Sequence, residues 1–568
     1  RLDVLRSWYP HVAADLHEMG SSSTYFFAPP MQPVHANISP LVRKGWQIWG
    51  RANAEAFAEQ GWGFFTREGF DEFFPGYGPS WPIHTGAIGM TYEQASSEGG
   101  AVERDDGSIL TLHEAARHHY TASRATLRTA AVHRAERVAD YVAFRQEAVE
   151  QGRSDPMRTI LLPRDAQGRT DSMVTVLLRL GIDVGRLSRQ TRVDATIFGE
   201  QAAGGITVPA GSYAVDLAQP QGALARTLLE PDPTFDPAFI EEELQRREEG
   251  QRDRFYDMTG WALPYLFRVQ AAWTGREVGP VEPVQAAVME TPEPPRRAGY
   301  AYAFEPGSEA ALRMLGTLLG EGVRVRHAPR AFTIGQHAFP HGAFLVLVHR
   351  NRGEDDGAGV HRLVRDLAVE TGTAVVALDN ALVDAGTDLG SNSVVAIPQT
   401  EVALVTGPAI SGTSYGAAWY AFDQLLGFPV TRIELDDAIR ALDRFNVLVI
   451  PSAWGLGPEL GESGTAALQR WVRGGGTLIT LDAATAWLAS EDGLARLREW
   501  EPPEDGDEPL PASVPGAIVR ARVDTLSPLV AGVREPEIPV MLSGSRLYEA
   551  PADADPGEVV IRYADADR

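Results

Sequence analysis

The chain contains no cysteine in its 568 residues. Disulfides, cysteine zinc ligands and a thiolate nucleophile are therefore excluded, while the compartment stays open. Positive charge is also short: 51 Lys and Arg stand against 76 Asp and Glu, a formal net charge of −25. Binding a phosphate backbone requires a basic surface, so no nucleic-acid partner is expected. No apolar run approaches the roughly 20 residues that a membrane span needs. The first residue is Arg1, and the segment after it does not read as a signal peptide,. The remaining composition is ordinary for globular domains, with 44% hydrophobic and 22% charged residues,. The length implies several domains of about 100 to 200 residues each.

Two segments carry chemistry. Val12 to Leu16 reads as a buried strand, with His17 where it runs out, and Ala87 to Tyr92 reads as a second strand ending on Glu93. An imidazole and a carboxylate at the ends of buried strands suit metal-assisted hydrolysis. The first would bind a metal, and the second would take a proton from metal-bound water. The alternative is that both are strand-terminal residues hydrogen-bonded to loops.

Further along, Asn37 to Gln60 carries an apolar stripe at helical spacing, in which Trp46 and Trp49 read as core,. Phe73 to His84 is a loop rich in Gly, Pro and aromatics, with His84 and His35 read as structural,. His113 to Gln151 reads as a long amphipathic helix or a pair. His118 and His119 are neighbours there, so on a helix they point about 100° apart and chelate poorly. Arg158 to Val184 follows a strand, helix, strand order typical of a parallel βαβ unit. Pro280 to Pro295 is rich in Pro and Glu and reads as a linker,. Ala343 to Val348 and Thr373 to Leu378 are nearly all apolar, as buried parallel strands are. Glu401 to Gly407 opens a last α/β unit, which closes with the strand Thr477 to Leu481. The acidic, proline-rich stretch Pro502 to Pro515 comes next, and then irregular β structure.

The segments Asp15-Leu16-His17-Glu18-Met19-Gly20, Thr24 to Pro30, Phe73 to Pro82 and Gly86 to Glu93 occur in this order. In them the first 150 or so residues resemble the C-terminal half of a zinc carboxypeptidase of the carboxypeptidase A-like family. The resemblance implies a Zn2+ cofactor with His17 as one ligand and Glu93 as general base. It also makes Tyr77 the mobile tyrosine that such enzymes place before the glutamate. It implies further ligands, a His-x-x-Glu pair, upstream of a position like His17. Only Arg1 to Leu16 precede it here, so the chain is expected to be an N-terminally truncated piece with most of a zinc site missing. The segments Ala403 to Val405, Val447 to Pro451 and Gly474 to Asp482 resemble a flavodoxin-type, class I glutamine-amidotransferase-like domain. Relatives present a cysteine at a strand-to-helix elbow. Here that turn reads Asp482-Ala483-Ala484-Thr485, so amidotransfer of that kind is excluded,.

The expected fold class is α/β: a partial zinc-carboxypeptidase-type mixed sheet with helices, then several flavodoxin-like α/β units. The expected divisions are 1–152 for the peptidase-like part, 156–279 for an α/β domain, 280–296 for a linker and 297–399 for a second α/β domain. Residues 400–500 form the amidotransferase-like domain and 501–568 a β-rich tail. The expected function is zinc-dependent hydrolysis of a peptide substrate by the longer protein, with this fragment alone expected to have little activity and a periplasmic or secreted location implied by the resemblance alone. The alternative is a non-catalytic peptide- or glycan-binding protein on a degenerate peptidase fold.

Overall fold

The computed structural model describes residues 2–287, 292–490, 494–495, 497–500, 513–549 and 559–564. Helices and strands mix in several sheets, an α/β architecture. The chain forms two compact units. The first is Arg1–Val288 with Asp507–Val519 and Pro539–Gly544, and the second is Met289–Gly506 with Arg520–Ile538 and Ser545–Arg568.

The first unit begins with α1 (Leu2–Trp8), β1 (Val12–Met19), β2 (Tyr25–Phe26), α2 (Pro40–Ala58), α3 (Ser80–His84) and β3 (Ile88–Ala95). β3 is the middle strand of a three-stranded mixed sheet, parallel to β1 and antiparallel to β2. α2 starts where the Ser39 side chain accepts from the Leu41 N–H and Pro40 occupies the first turn, a position that has no N–H to satisfy,. Its buried positions, Val42, Trp46, Trp49, Asn53 and Phe57, repeat every three to four residues and face the sheet,. The Trp46 indole N–H donates to the Gly89 carbonyl at 2.8 Å, which pins the helix to β3. Both tryptophans are core residues, as their spacing implies.

Two sequence expectations change here. Both strands run on past His17 and Glu93, so these residues lie inside β1 and β3 rather than at their ends. β1 is also not buried. None of its eight residues is, whereas β3 is buried almost throughout. The difference follows from position: β3 is flanked by strands on both sides, and β1 pairs with β3 alone.

A short hairpin of β4 (Ala101–Glu103) and β5 (Ile109–Thr111) leads into a helix pair, α4 (Leu112–Val132) and α5 (Arg134–Ser154). Thr111 and Glu114 form a reciprocal capping box that fixes the start of α4,. Next come β6 (Thr159–Leu162), α6 (Arg169–Arg179), β7 (Gly185–Leu187), β8 (Thr191–Ile197), β9 (Ala203–Val208) and β10 (Tyr213–Asp216). The unit continues with α7 (Gly222–Leu229), α8 (Pro237–Glu248), α9 (Leu263–Leu266), β11 (Ala272–Thr274) and β12 (Val281–Pro283). Seven of these strands make one sheet in the order β12-β7-β10-β6-β11-β8-β9. The expected direct βαβ pairing of β6 and β7 does not occur. β10 lies between them and is antiparallel to both, because a later strand fills the gap. The expected linker also begins as structure, since β12 pairs with β7 along the sheet edge.

The Leu217 carbonyl is held between two glycines. A Cβ on Gly152 of α5 would lie 2.1 Å from it, and one on Gly222 of α7 would lie 2.3 Å from it. Gly152→Ala is therefore expected to destabilise the first unit by about 3 kcal/mol through overpacking against rigid backbone. Gly20→Ala, where a Cβ meets nothing within 4 Å, should stay within about 0.5 kcal/mol. Thermal or urea melts of the two variants check this, and equal midpoints would refute it.

In the second unit, the strands Ala301–Phe304, Val325–Ala328, Ala343–Leu347 and Val376–Leu378 belong to one five-stranded sheet. Its neighbouring strands are antiparallel, not parallel as their apolar runs suggest. The runs arise because both faces are covered. One faces the helices Glu309–Gly320 and Ala358–Thr371, and the other faces Phe332, Phe339, Leu389 and Val394. A separate sheet of four parallel strands has the spatial order Thr431–Glu434, Val402–Thr406, Val447–Ile450, Thr477–Thr480. Most of the acidic stretch Pro502 to Pro515 lies outside the described residues. The tail contains defined strands, among them Ile561–Tyr563. Among the described residues no helix is long and apolar enough to cross a membrane.

Candidate functional site

The register of β1 and β3 sets His17 directly beside Glu93, and Asp15 beside Thr91. Side chains two apart on a strand share a face, and so do paired residues in register. Asp15, His17 and Glu93 therefore project from one side of the sheet. His17 Nε2 lies 3.3 Å from Asp15 Oδ2, and its side chain is 56% exposed. Glu93 is only 6% exposed. Burial holds its carboxyl above the ordinary carboxylate value. The neighbouring His17 opposes that shift and the Asp15 carboxylate adds to it,. The result is a sheltered base next to a solvent-facing imidazole.

Surrounding groups are committed elsewhere. The Tyr25 hydroxyl and His119 Nδ1 share a hydrogen bond of 2.9 Å, and His118 Nδ1 lies 2.8 Å from Gln94 Oε1. The two histidines thus serve different partners, in keeping with their helical spacing. Tyr77 belongs to another cluster. Its hydroxyl donates to the Asp257 carboxylate, and its ring packs edge-on against Phe74. His84 is fully buried with its Nδ1 3.3 Å from Thr227 Oγ1, and burial together with the nearby His35 lowers its pKa well below the usual range. His35 lies 3.0 Å from Glu230 in the same interior, so both histidines are structural.

The acids around Tyr77 escape sequence reasoning. Asp71, Glu72 and Asp257 are each about 5% exposed or less. Asp257 accepts from the Phe74 N–H at 2.9 Å, and the Tyr256 hydroxyl accepts from the Asp71 N–H at 3.1 Å. Burial, and then the facing Asp257 carboxyl, push Asp71 far above the carboxylate range. Burial pushes Glu72 up to about 8, although the Ser80 hydroxyl donates to it and pulls the other way. Asp257 and Asp15 add to the upward push on Glu72, so this cluster borders the Asp15 face of the site. The Asp71-Glu72 doublet is visible in the sequence, but Asp257 is far along the chain and no spacing links them. A cavity of about 410 Å³ opens beside Asp15, walled by Leu5, Ala13, Pro79 and Pro82.

A zinc centre needs three or four protein ligands. On this face His17 is the imidazole, and among the described residues no group of three His, Cys, Asp or Glu is placed to hold an ion. The described residues do not by themselves fit a zinc centre.

In the four-stranded parallel sheet the elbow after Thr477–Thr480 carries Asp482, at φ +49°. The Ser452 hydroxyl donates to its carboxylate at 2.7 Å. No family model matches the chain, and no curated protein or solved structure shows similarity to it.

Proposed function

We propose that the first unit hydrolyses peptide amide bonds in the manner of a carboxypeptidase, with Glu93 as general base and His17 as the imidazole beside it. The observation that carries this is the in-register pairing of an exposed histidine with a sheltered glutamate whose proton affinity is raised. A base works best when its pKa approaches the working pH, and burial moves Glu93 in that direction. Glu93 takes a proton from the water that attacks the scissile carbonyl carbon. It then returns that proton to the amine nitrogen as the C–N bond breaks, leaving a carboxylate and an amine. The steps above use only the protein's own groups. In this structure the Tyr77 hydroxyl donates to the Asp257 carboxylate.

The four-stranded parallel module is read as amidotransferase-like in fold. With Asp482 at the elbow it has no thiolate and no amidotransfer chemistry.

The test is release of the C-terminal amino acid from N-blocked dipeptides, with metal content measured on the same samples. Wild type is expected to release it, and His17→Ala to lower the rate by roughly a hundredfold or more, the lower end of the range for loss of one group at a reacting centre. No release by wild type at any metal loading would sink the hydrolase and favour the non-catalytic binder.

A further inference from the structure

A cavity of about 610 Å³ in the first unit lies between α2, the segment 29–34, the segment 66–68 and α8. That volume lies within the usual range for small-ligand sites. Its walls are apolar where Pro29, Pro30, Met31 and Val34 line it. Its charge is unusual for so acidic a chain, since the lining holds three guanidiniums, Arg43, Arg67 and Arg254, against two carboxylates, Glu68 and Glu242. Arg254 is already neutralised, 2.9 Å from Glu242 and 2.7 Å from Glu243.

The other two guanidiniums have no carboxylate within ion-pair distance among the described residues. Arg43 is half-buried and donates to backbone carbonyls, those of Ile38 at 3.3 Å and His35 at 3.1 Å. Burial lowers its pKa, and the more distant Asp236 only partly offsets this. Arg67 is brought to the same place by two contacts. Its N–H donates to the Pro29 carbonyl at 2.9 Å, and its Nη2 donates to Gln47 Oε1 at 3.0 Å. Gln47 lies one helical turn after Arg43 on α2, so the two side chains stand on one helix face,. Two guanidiniums without counter-ions thus line one cavity beside an apolar wall. Among the described residues Glu68 is the one lining carboxylate without an ion pair, which leaves the lining net positive.

We propose that this cavity binds a small organic oxyanion, a carboxylate or phosphate head on an apolar body, with Arg43 and Arg67 holding the head. Guanidinium forks match both oxyanions in two-point geometry. The body lies against the proline and methionine wall. The site is separate from His17 and Glu93 and does not depend on the hydrolase reading.

Isothermal titration of the full chain with benzoate, phenyl phosphate and neutral benzamide tests this. At least one of the two anions should bind, with benzamide at least tenfold weaker, the order of effect expected for a lost charge-assisted hydrogen bond. Binding of benzoate alone assigns a carboxylate head, and binding of phenyl phosphate alone assigns a phosphate. Arg67→Gln, at an exposed position, should weaken binding at least tenfold, and Arg43→Gln should do the same wherever its melting curve matches wild type. Glu93→Gln should leave binding unchanged. The proposal is overturned by absence of binding for both anions, by benzamide binding as tightly, or by indifference to Arg67→Gln.

Discussion

Glu93→Gln is expected to lower peptide hydrolysis by roughly two to four orders of magnitude at neutral pH, the range found when a positioned general base is removed. The amide keeps the shape of the side chain and its place beside His17, so the loss measures proton transfer rather than packing. The pH profile gives a second readout. Because burial raises the pKa of Glu93, the acid limb of kcat/KM should fall at a pH above that of an ordinary carboxylate. Activity is present above that limb, where Glu93 is ionised, and disappears as pH drops through it. In the glutamine variant the limb should vanish from whatever activity remains. A glutamine variant with the full rate, or with the same acid limb, would show that Glu93 is a structural residue and that another group is the base.

Part of this site was legible in the sequence. Two apolar runs, each ending next to a chemically competent residue, were enough to locate β1, β3, His17 and Glu93. Pairing of the two residues was not legible, because register is set by which strands meet. Nor was the exposure of β1, because apolar residues in a strand do not say how many neighbours it has. Strand direction in the second unit failed for a related reason. A continuous apolar run reports that both faces are covered, and here helices cover one face and a hairpin with loop residues covers the other. The helices fared better, since α2 and α4 carry their start signals and apolar stripes within a few residues of one another. The loop that carries Tyr77 was legible too, but its hydroxyl partner Asp257 lies in a different segment that no local pattern connects to it.

Those acids define the remaining large effect. The first unit is expected to lose stability steadily as pH rises between about 4.5 and 8. Glu72 has an ordinary value of 4.5 and is raised to about 8 in the fold. Below the lower value both folded and unfolded chains carry the proton, and the full stability is present. Between the two values the unfolded chain has released its proton while the folded chain keeps it, so each step upward in pH favours unfolding. Above about 8 the loss is complete, on the order of 5 kcal/mol for this one group. Asp71 shifts in the same direction, for burial and for the facing Asp257 carboxyl, and steepens the fall. Glu72→Gln carries no titrating proton and can still receive the Ser80 hydroxyl bond on its amide oxygen. Its melting temperature should therefore change much less between pH 5 and pH 9 than that of wild type, with the two curves diverging on the alkaline side. Parallel curves across that range would mean that Glu72 is ionised in the fold and that a cation or solvent reaches it.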